Sequence, residues 1–239
     1  MLSNKARAIS SSPTLAIDAK FKQMKANGED VVGFGCGEPD FDTPQYIKDA
    51  AIAAINSGKT KYTPAAGTLE LRKAVAEKFK RENGLDYEPT DIVISNGAKH
   101  SLMNALTAIL NPGDEVIIPA PFWVSYPELI KLADGIPVII NTKEENEFKA
   151  KAEDLRRALT PKTKAIILNS PSNPTGMVYT KEELKEIADF AVENNLYVVS
   201  DEIYEHLIYE GEHISIASFN DKIKALTIVI NGVSKTYAM

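Results

Sequence analysis

Six short apolar segments limit the folds open to this chain more than any other feature of its sequence. Each is four or five residues long and lacks a strict alternation of apolar and polar residues. Such runs are typical of strands that are buried on both faces of a sheet. The predicted strands are Asp91–Ser95, Glu115–Ile118, Pro137–Ile140, Ala165–Leu168, Leu196–Val199 and Leu226–Ile230.

Helical patterns separate most of these strands, and several carry recognisable start or stop signals. The predicted helices are one with Thr43 as its N-cap and Pro44 as its first residue, one from Leu69 to Arg81 that Gly84 ends, one through Leu102 to Leu110, and one behind a capping box of Thr180 and Glu183. Strands that alternate with helices predict an α/β fold with a mostly parallel sheet.

Composition narrows the class of protein further. The 239 residues include 27 Lys and Arg against 33 Asp and Glu, for a net charge of -6, so no basic surplus favours nucleic acid as a partner. Cys36 is the only cysteine, which excludes an internal disulfide and suits a reducing compartment. Lys5, Arg7, Asp18 and Lys20 interrupt the N-terminal segment, and no apolar run approaches the ~18 residues of a membrane span. We therefore expect a cytoplasmic protein with no membrane partner.

Polar and aromatic residues follow the predicted strands. In parallel α/β sheets, ligands bind beyond the carboxyl ends of the strands, so these residues are expected to converge on one crevice. They lie in the segments 96–99, 121–123, 169–176, 200–204 and 231–235.

Two of these segments have both a structural and a functional interpretation. The turn from Asn96 to Lys99 joins a strand to a helix, where free N–H groups could hold a phosphate, but it could equally be an ordinary tight turn. Trp123 is the only tryptophan and could stack on a flat ring or simply pack in the core. Taken alone, each pattern favours the structural interpretation.

Three further residues also have more than one possible role. Asn173 lies in a stiff Asn-Pro-Thr-Gly turn from which its amide could donate into the crevice. Asp201 follows a buried strand, so it needs a cationic or strong donor partner if buried, although it could belong to a solvated acidic pair. Lys235 could be a surface charge, or a nucleophile and base with a lowered pKa.

Metal and nucleotide motifs are not evident in the sequence. His100, His206 and His213 lack metal-ligand spacing, and one cysteine cannot form a zinc pattern. The glycine-rich stretch Gly33–Gly37 is followed by Pro39 rather than by a helix, which argues against dinucleotide binding there.

Five motifs follow one another along the chain: Gly-Glu-Pro-Asp-Phe-Asp-Thr-Pro at 37–44, Lys-Tyr-Thr-Pro at 61–64, Ser-Pro-Ser-Asn-Pro-Thr-Gly at 170–176, Ser-Asp-Glu-Ile-Tyr at 200–204 and Ser-Lys-Thr-Tyr-Ala-Met at 234–239. Taken together and in this order, they resemble those of the class I pyridoxal-phosphate aminotransferases of fold type I, most of all the bacterial aspartate aminotransferase branch. The resemblance spans essentially the whole chain. It implies an N-terminal arm and small-domain segment at 1–30, and at 31–239 a large cofactor-binding domain with a mostly parallel sheet and helices on both faces.

The resemblance also implies roles at a pyridoxal 5'-phosphate site. Lys235 is expected to form a Schiff base with the cofactor aldehyde, and Asp201 to pair with the pyridine nitrogen and keep it protonated. Tyr204 and Asn173 are expected to hydrogen-bond the phenolic oxygen of the ring, and Trp123 to stack on the ring.

The phosphate is expected to lie at Gly97, Ala98 and Lys99. Tyr62 is expected to reach the phosphate of a neighbouring subunit, which implies a homodimer. Gly232 is a departure, because family members often carry a hydroxyl three residues before the lysine.

The implied activity is transamination between an L-amino acid, with aspartate favoured, and a 2-oxo acid such as 2-oxoglutarate. Gly37, Asn173 and Trp123 are expected to contact the substrate, and Ser12 and Thr14 to face its distal carboxylate, with Lys99 as a further candidate. The alternatives are an aromatic amino-acid aminotransferase, a C–S β-lyase of the same fold and an inactive fragment.

The fragment alternative arises because full members of the family run well past the lysine. We expect the part beyond Met239 to carry a phosphate-binding arginine, a further strand, most of the small domain and the arginine that clamps the α-carboxylate.

Overall fold

The computed structural model describes residues 1–35 and 37–239, so Cys36 lies outside the described residues. Its sheet has the strand order β2-β1-β3-β4-β5, and every neighbouring pair is parallel. The strands are β1 (Glu115–Ala120), β2 (Ile136–Asn141), β3 (Thr163–Asn169), β4 (Tyr197–Asp201) and β5 (Thr227–Ile230). The predicted parallel α/β fold is therefore confirmed.

Helices cover both faces of this sheet. The helices of the described residues are α1 (Asn4–Ala8), α2 (Pro13–Ala26), α3 (Gln45–Asn56), α4 (Leu69–Asn83), α5 (Ala98–Ile109), α6 (Tyr126–Leu132), α7 (Ala152–Ala158), α8 (Lys181–Glu193), α9 (Asp221–Leu226) and α10 (Val233–Thr236). Helices α5 and α6 pack against one face of the sheet, and α7, α8 and α9 against the other. Helices α1, α2, α6, α7, α9 and α10 were not predicted from the sequence.

The central strands are apolar because both of their faces are covered. In β3, Ile166 and Leu168 point into the cluster of α7, α8 and α9, whereas Ala165 and Ile167 point into the cluster of α5 and α6. Since successive side chains of a strand point to opposite faces, burial on both sides requires an unbroken apolar run.

The segment Asp91–Ser95 is not a strand, and that prediction is wrong. A short 3-10 turn spans Pro89–Asp91, after which Ile92 packs beside α4 while Val93 is largely exposed. The N–H of Ile94 donates to the carbonyl of Ala66 at 3.0 Å instead of joining the sheet. An apolar run is thus used here to cover a helix.

The start of α3 also differs from its prediction by one residue. Pro44 is the N-cap residue and Gln45 the first helical residue, without a side-chain cap. The Thr43 hydroxyl, which we expected to cap the helix, donates to the carbonyl of Ala238 instead.

Several other local predictions are confirmed. Gly84 ends α4 in the left-handed conformation, with φ of 66°. The capping box of α8 is formed, since the Thr180 hydroxyl accepts from the N–H of Glu183, whose carboxylate accepts from the N–H of Thr180.

The N-terminal helices lie on the outside of the protein. Lys5 of α1 pairs with Asp134 at 2.7 Å, just after α6, and the N–H of Ser10 donates to Glu128 within α6. No residue of α1, α2 or α3 is fully buried in the described part of the chain. Among the described residues, no helix has both the length and the apolar character needed to cross a membrane.

The α8 capping box makes a testable contribution to stability. We expect Thr180→Ala to lower the free energy of unfolding of the full-length protein by about 1 kcal/mol, because the N–H of Glu183 loses its acceptor. Urea unfolding measures this change. Thr180→Ser keeps the hydroxyl and is the matched control, so an equal loss in both variants would contradict the capping role.

Candidate active site

The order of the strands creates a crevice at the carboxyl end of the sheet. The chain leaves β1 for β2 on one side and then returns to β3 on the other side of β1. At such a reversal the connections after neighbouring strands diverge, and ligands bind between them. The residues that follow β1, β3, β4 and β5 therefore meet in one region, as the sequence predicted.

Asp201 is the last residue of β4, and its carboxylate is buried, with 4% of the residue exposed. One oxygen, Oδ2, accepts from the Tyr126 hydroxyl at 2.7 Å, and the other, Oδ1, accepts from the N–H of Ile203 at 3.3 Å. Burial raises the pKa of Asp201 to about 6, while these two hydrogen bonds oppose the rise and the nearby charge of Glu202 adds to it. No Lys, Arg or His within the described ranges forms an ion pair with this carboxylate.

Tyr126 is a residue of this candidate site that was not predicted from the sequence. It is the first residue of α6 and is 1% exposed. Burial, followed by the charge of Asp201, raises its pKa well above the usual value, so the phenol stays protonated and can donate. In the sequence, Tyr126 is recognisable only as a tyrosine three residues after Trp123. Its spacing alone predicts a residue of the hydrophobic core.

A second group of hydrogen bonds joins the ends of β3 and β4. The Asn169 amide donates to the backbone carbonyl of Asp201 at 2.9 Å, and its oxygen accepts from the N–H of Asn173 at 2.8 Å. The Asn173 amide in turn donates to the hydroxyl of Tyr204 at 3.2 Å. Asn173 and Tyr204, predicted as a pair from the sequence, are therefore adjacent, and Asn169 is a positioning residue that the sequence analysis did not single out.

Lys235 and Tyr204 are also brought together. Lys235 lies in the single turn of α10 just beyond β5, and its ammonium is 5.8 Å from the centre of the Tyr204 ring. It is half-buried rather than a free surface charge. Tyr204 therefore contacts both Lys235 and Asn173.

Trp123 packs partly in the core, as one of its two sequence interpretations predicted. It is partly buried against the cluster of α5 and α6, and its ring meets that of Tyr126 edge to face at 5.5 Å and 83°. The ammonium of Lys99 lies 4.8 Å from the centre of the same indole. A cation–π contact with Trp123 is therefore what Lys99 makes here.

The turn before α5 has the geometry of an anion-binding helix start. Gly97 is its N-cap with φ of 82°, and α5 continues for 12 residues from Ala98. The first N–H groups of a helix have no partner within it, and here those of Ala98 and Lys99 lie beside the Gly97 turn.

Four predicted site residues are not brought into this group by any contact that the structure shows in its described ranges. Ser12 accepts from the N–H of Leu15 as the N-cap of α2, and Thr14 lies one residue into that helix. Gly37 is exposed outside any helix or strand, and Tyr62 is fully exposed.

Two groups of carboxylates and histidines have ligand atoms within 4.8 Å of one another: Glu82 with Glu205 and His206, and Glu202 with Glu205 and His213. Protein side chains already contact ligand atoms of both groups. The Lys78 ammonium contacts Glu205, and Nε2 of His213 lies 2.9 Å from Glu202. We assign no metal to either group.

Comparison with known proteins places the chain in a family. The profile described as "Aminotransferase class I and II" matches residues 29–239, and the chain belongs to this family.

Individual relatives agree with that assignment. The aspartate aminotransferase of Bacillus sp. (strain YM-2) is 58% identical over 240 residues, which cover 100% of this chain and 61% of that relative. The structure of the aspartate aminotransferase from Thermus thermophilus with maleate is 49% identical, with a TM-score of 0.97, over 100% of this chain and 62% of that one. The aromatic aminotransferase from Pyrococcus horikoshii is 48% identical, with a TM-score of 0.86, over 93% of this chain and 59% of that one. The resemblance and fold inferred from the sequence are confirmed, and the relatives contain further segments that this sequence does not include.

The buried Asp201 carboxylate predicts a pH dependence of stability. Its pKa is about 6 in the folded protein against 3.8 ordinarily, so the folded state binds more protons between these values and stability falls as pH rises through that window. The interval corresponds to about 3 kcal/mol. We expect the full-length protein without bound ligands to lose about that much more stability between pH ~4 and ~7 than Asp201→Asn does.

Urea unfolding at a series of pH values measures this difference. Asp189→Asn, which removes an exposed carboxylate on α8, is the matched control and should leave the wild-type pH dependence unchanged. A wild-type slope that persists in Asp201→Asn would show that Asp201 is not the titrating group.

Proposed function

We propose that the protein is a pyridoxal-phosphate-dependent aminotransferase that moves an amino group between L-aspartate and a 2-oxo acid such as 2-oxoglutarate. The observation that best supports this proposal is the environment of Asp201. Its carboxylate is buried at the end of a central strand and has no cationic partner among the described residues. A buried carboxylate needs a cation or strong donors to remain ionised. The protonated nitrogen of a pyridine ring would supply that cation.

The other side chains of the crevice fit the same cofactor. Asn173 and Tyr204 form a donor pair suited to the phenolic oxygen of the ring, and the Trp123 indole offers a flat surface. Lys235 lies beside Tyr204 and would hold the cofactor aldehyde through its amine. When bound, the cofactor would supply an electron-poor ring that accepts the electron pair released at the α carbon of the substrate.

Three residues of this chain would then have different roles in the reaction. Lys235, once its amine is free, would take the proton from the α carbon and return it to a neighbouring carbon as general base and then general acid. Asp201 would keep the ring nitrogen protonated, which matters most when charge develops in the transition state. Trp123 would hold the ring plane in place.

The phosphate would lie at Gly97, Ala98 and Lys99, where α5 offers free N–H groups and a positive end. Lys99 is free to add charge because its contact with Trp123 is an exposed cation–π contact. Gly232 offers no hydroxyl three residues before Lys235, so one donor common in the family is absent at that position.

Aspartate is favoured as the amino donor on two grounds. Relatives at 50–58% identity carry the names aspartate or aspartate/prephenate aminotransferase. Lys99 provides a cation that suits a second carboxylate, with Ser12 and Thr14 as the proposed hydroxyl partners. Gly37 and Asn173 are proposed to place the α-carboxylate.

A homodimer is part of the proposal because Tyr62 makes no use of its phenol within the described chain and is fully exposed. The neighbouring α3 also exposes Tyr46, Ile52 and Ile55. Tyr62 is proposed to hydrogen-bond the cofactor phosphate of the partner subunit. The cytoplasmic location and the division at residue 30 stay predictions.

The proposed reaction is tested with the full-length protein, pyridoxal phosphate, L-aspartate and 2-oxoglutarate. We expect oxaloacetate and glutamate in equal amounts, with no turnover in Lys235→Ala because the variant lacks the amine that moves the proton. Lys235→Ala should still bind the cofactor, and borohydride should fix the cofactor covalently in the wild type alone, as read by intact mass.

Other outcomes would replace the proposal. Faster transfer from L-phenylalanine than from L-aspartate would favour an aromatic aminotransferase. Pyruvate and ammonia formed from a cysteine thioether would indicate a C–S β-lyase. Turnover in Lys235→Ala would show that Lys235 is not the group that moves the proton.

The role of Tyr62 across the dimer is tested separately. We expect Tyr62→Phe to raise the Kd for pyridoxal phosphate about 10- to 100-fold, the range for a lost hydrogen bond to a charged group. Fluorescence titration of the full-length protein measures this Kd. Tyr209→Phe changes an equally exposed tyrosine and should leave it unaltered. A monomer in sedimentation, or an unchanged Kd in Tyr62→Phe, would contradict the proposal.

A further inference from the structure

Tyr126 touches two groups of the crevice, Asp201 and Trp123, for both of which the family resemblance implies a role, whereas it implies none for Tyr126. We propose that Tyr126 is a positioning residue that fixes the orientation of the Asp201 carboxylate and holds it in the ionised form. The effect of Tyr126 on the cofactor rests on the proposed function, whereas the effect of Tyr126 on Asp201 does not.

The geometry gives each oxygen of the carboxylate its own donor. The Tyr126 hydroxyl donates to Oδ2 at 2.7 Å, and the N–H of Ile203 donates to Oδ1 at 3.3 Å. The shorter contact is in the range for a hydrogen bond to a charged acceptor, and the longer one is weak. Two donors on different oxygens fix the plane of the group, and Tyr126 supplies the stronger of them.

The surroundings of Asp201 make that donor important. Burial and the charge of Glu202 both favour the neutral acid, and Lys235 contacts Tyr204 rather than Asp201. Tyr126 and the Ile203 N–H are the groups that favour the ionised form. Without the phenol, the carboxylate would keep only the weak backbone donor.

The phenol is held where it is by local structure. Tyr126 opens α6, and its N–H donates to the carbonyl of Trp123 at 3.1 Å. The two rings then meet edge to face, so a single turn after β1 sets both the indole and the hydroxyl. The residue thereby links the group proposed for the face of the cofactor ring to the group proposed for its nitrogen.

A purely structural role for Tyr126 makes a different prediction. If its hydroxyl only fills space, replacing it would lower stability without moving the titration of Asp201. Tyr179 provides the matched comparison, since it is also buried and its hydroxyl accepts from the N–H of Ala150 rather than contacting Asp201.

The test follows the carboxyl carbon of Asp201 by 13C NMR as a function of pH in the full-length protein without cofactor. In Tyr126→Phe we expect the titration midpoint to rise by about 1 to 2 pH units, the range for a lost hydrogen bond to a charged group. Tyr179→Phe should keep the wild-type midpoint. An unchanged midpoint in Tyr126→Phe, or equal changes in both variants, would overturn the proposal.

A second readout uses the protein loaded with pyridoxal phosphate labelled with 15N in its ring. In Tyr126→Phe we expect the nitrogen resonance to move toward the value of unprotonated pyridine, because the proton is shared more with Asp201. Failure of the wild type to bind the cofactor would overturn the proposed function but leave the cofactor-free titration as a valid test. Normal binding with an unmoved resonance in the variant would overturn the inference alone.

Replacement of Tyr126 by 3-fluorotyrosine covers the case in which Tyr126→Phe does not fold. Fluorine makes the phenol more acidic and therefore a stronger donor, while the ring keeps its shape. The Asp201 midpoint should then move downward. A midpoint at or above that of the wild type would overturn the proposal.

Discussion

The register of the parallel ladder between β3, β4 and β5 is the constraint on which the site depends. It pairs Asn169 with Asp201 and Asp201 with Ile230, so the last residues of three strands lie side by side. Helices on both faces exclude water from this edge, which buries the Asp201 carboxylate and leaves it dependent on a few fixed donors. A slip of one residue would point Asp201 toward the opposite face of the sheet and separate it from Tyr126.

Most of this architecture could be predicted from the sequence because its elements are locally consistent. Five of the six predicted strands form, since their apolar runs suit a sheet that is covered on both sides. The polar residues after those strands converge because parallel strands share one carboxyl edge. Asn173 with Tyr204, Asp201, Trp123 and Lys235 were all placed in one crevice on this reasoning.

The remainder could not be predicted because it depends on contacts between distant parts of the chain. Tyr126 reads as a core aromatic until the fold places it 2.7 Å from Asp201, 75 residues away. The run Asp91–Ser95 looks like a strand, yet it covers α4, and only tertiary structure decides which surface an apolar segment buries. The contact of Lys99 with the Trp123 indole is of the same kind, while its expected place at a phosphate or a substrate carboxylate stays a prediction.

The same burial that makes Asp201 costly to the fold makes it useful to the proposed chemistry. An exposed carboxylate would be satisfied by water and would interact only weakly with a ring nitrogen. A carboxylate in a site of low polarity interacts strongly with one cation, provided that it remains ionised when that cation arrives. Tyr126 supplies this condition without adding charge, because a neutral phenol stabilises the anion and leaves its attraction for a cation in place. A lysine at that position would have neutralised Asp201 and removed the need for a ligand.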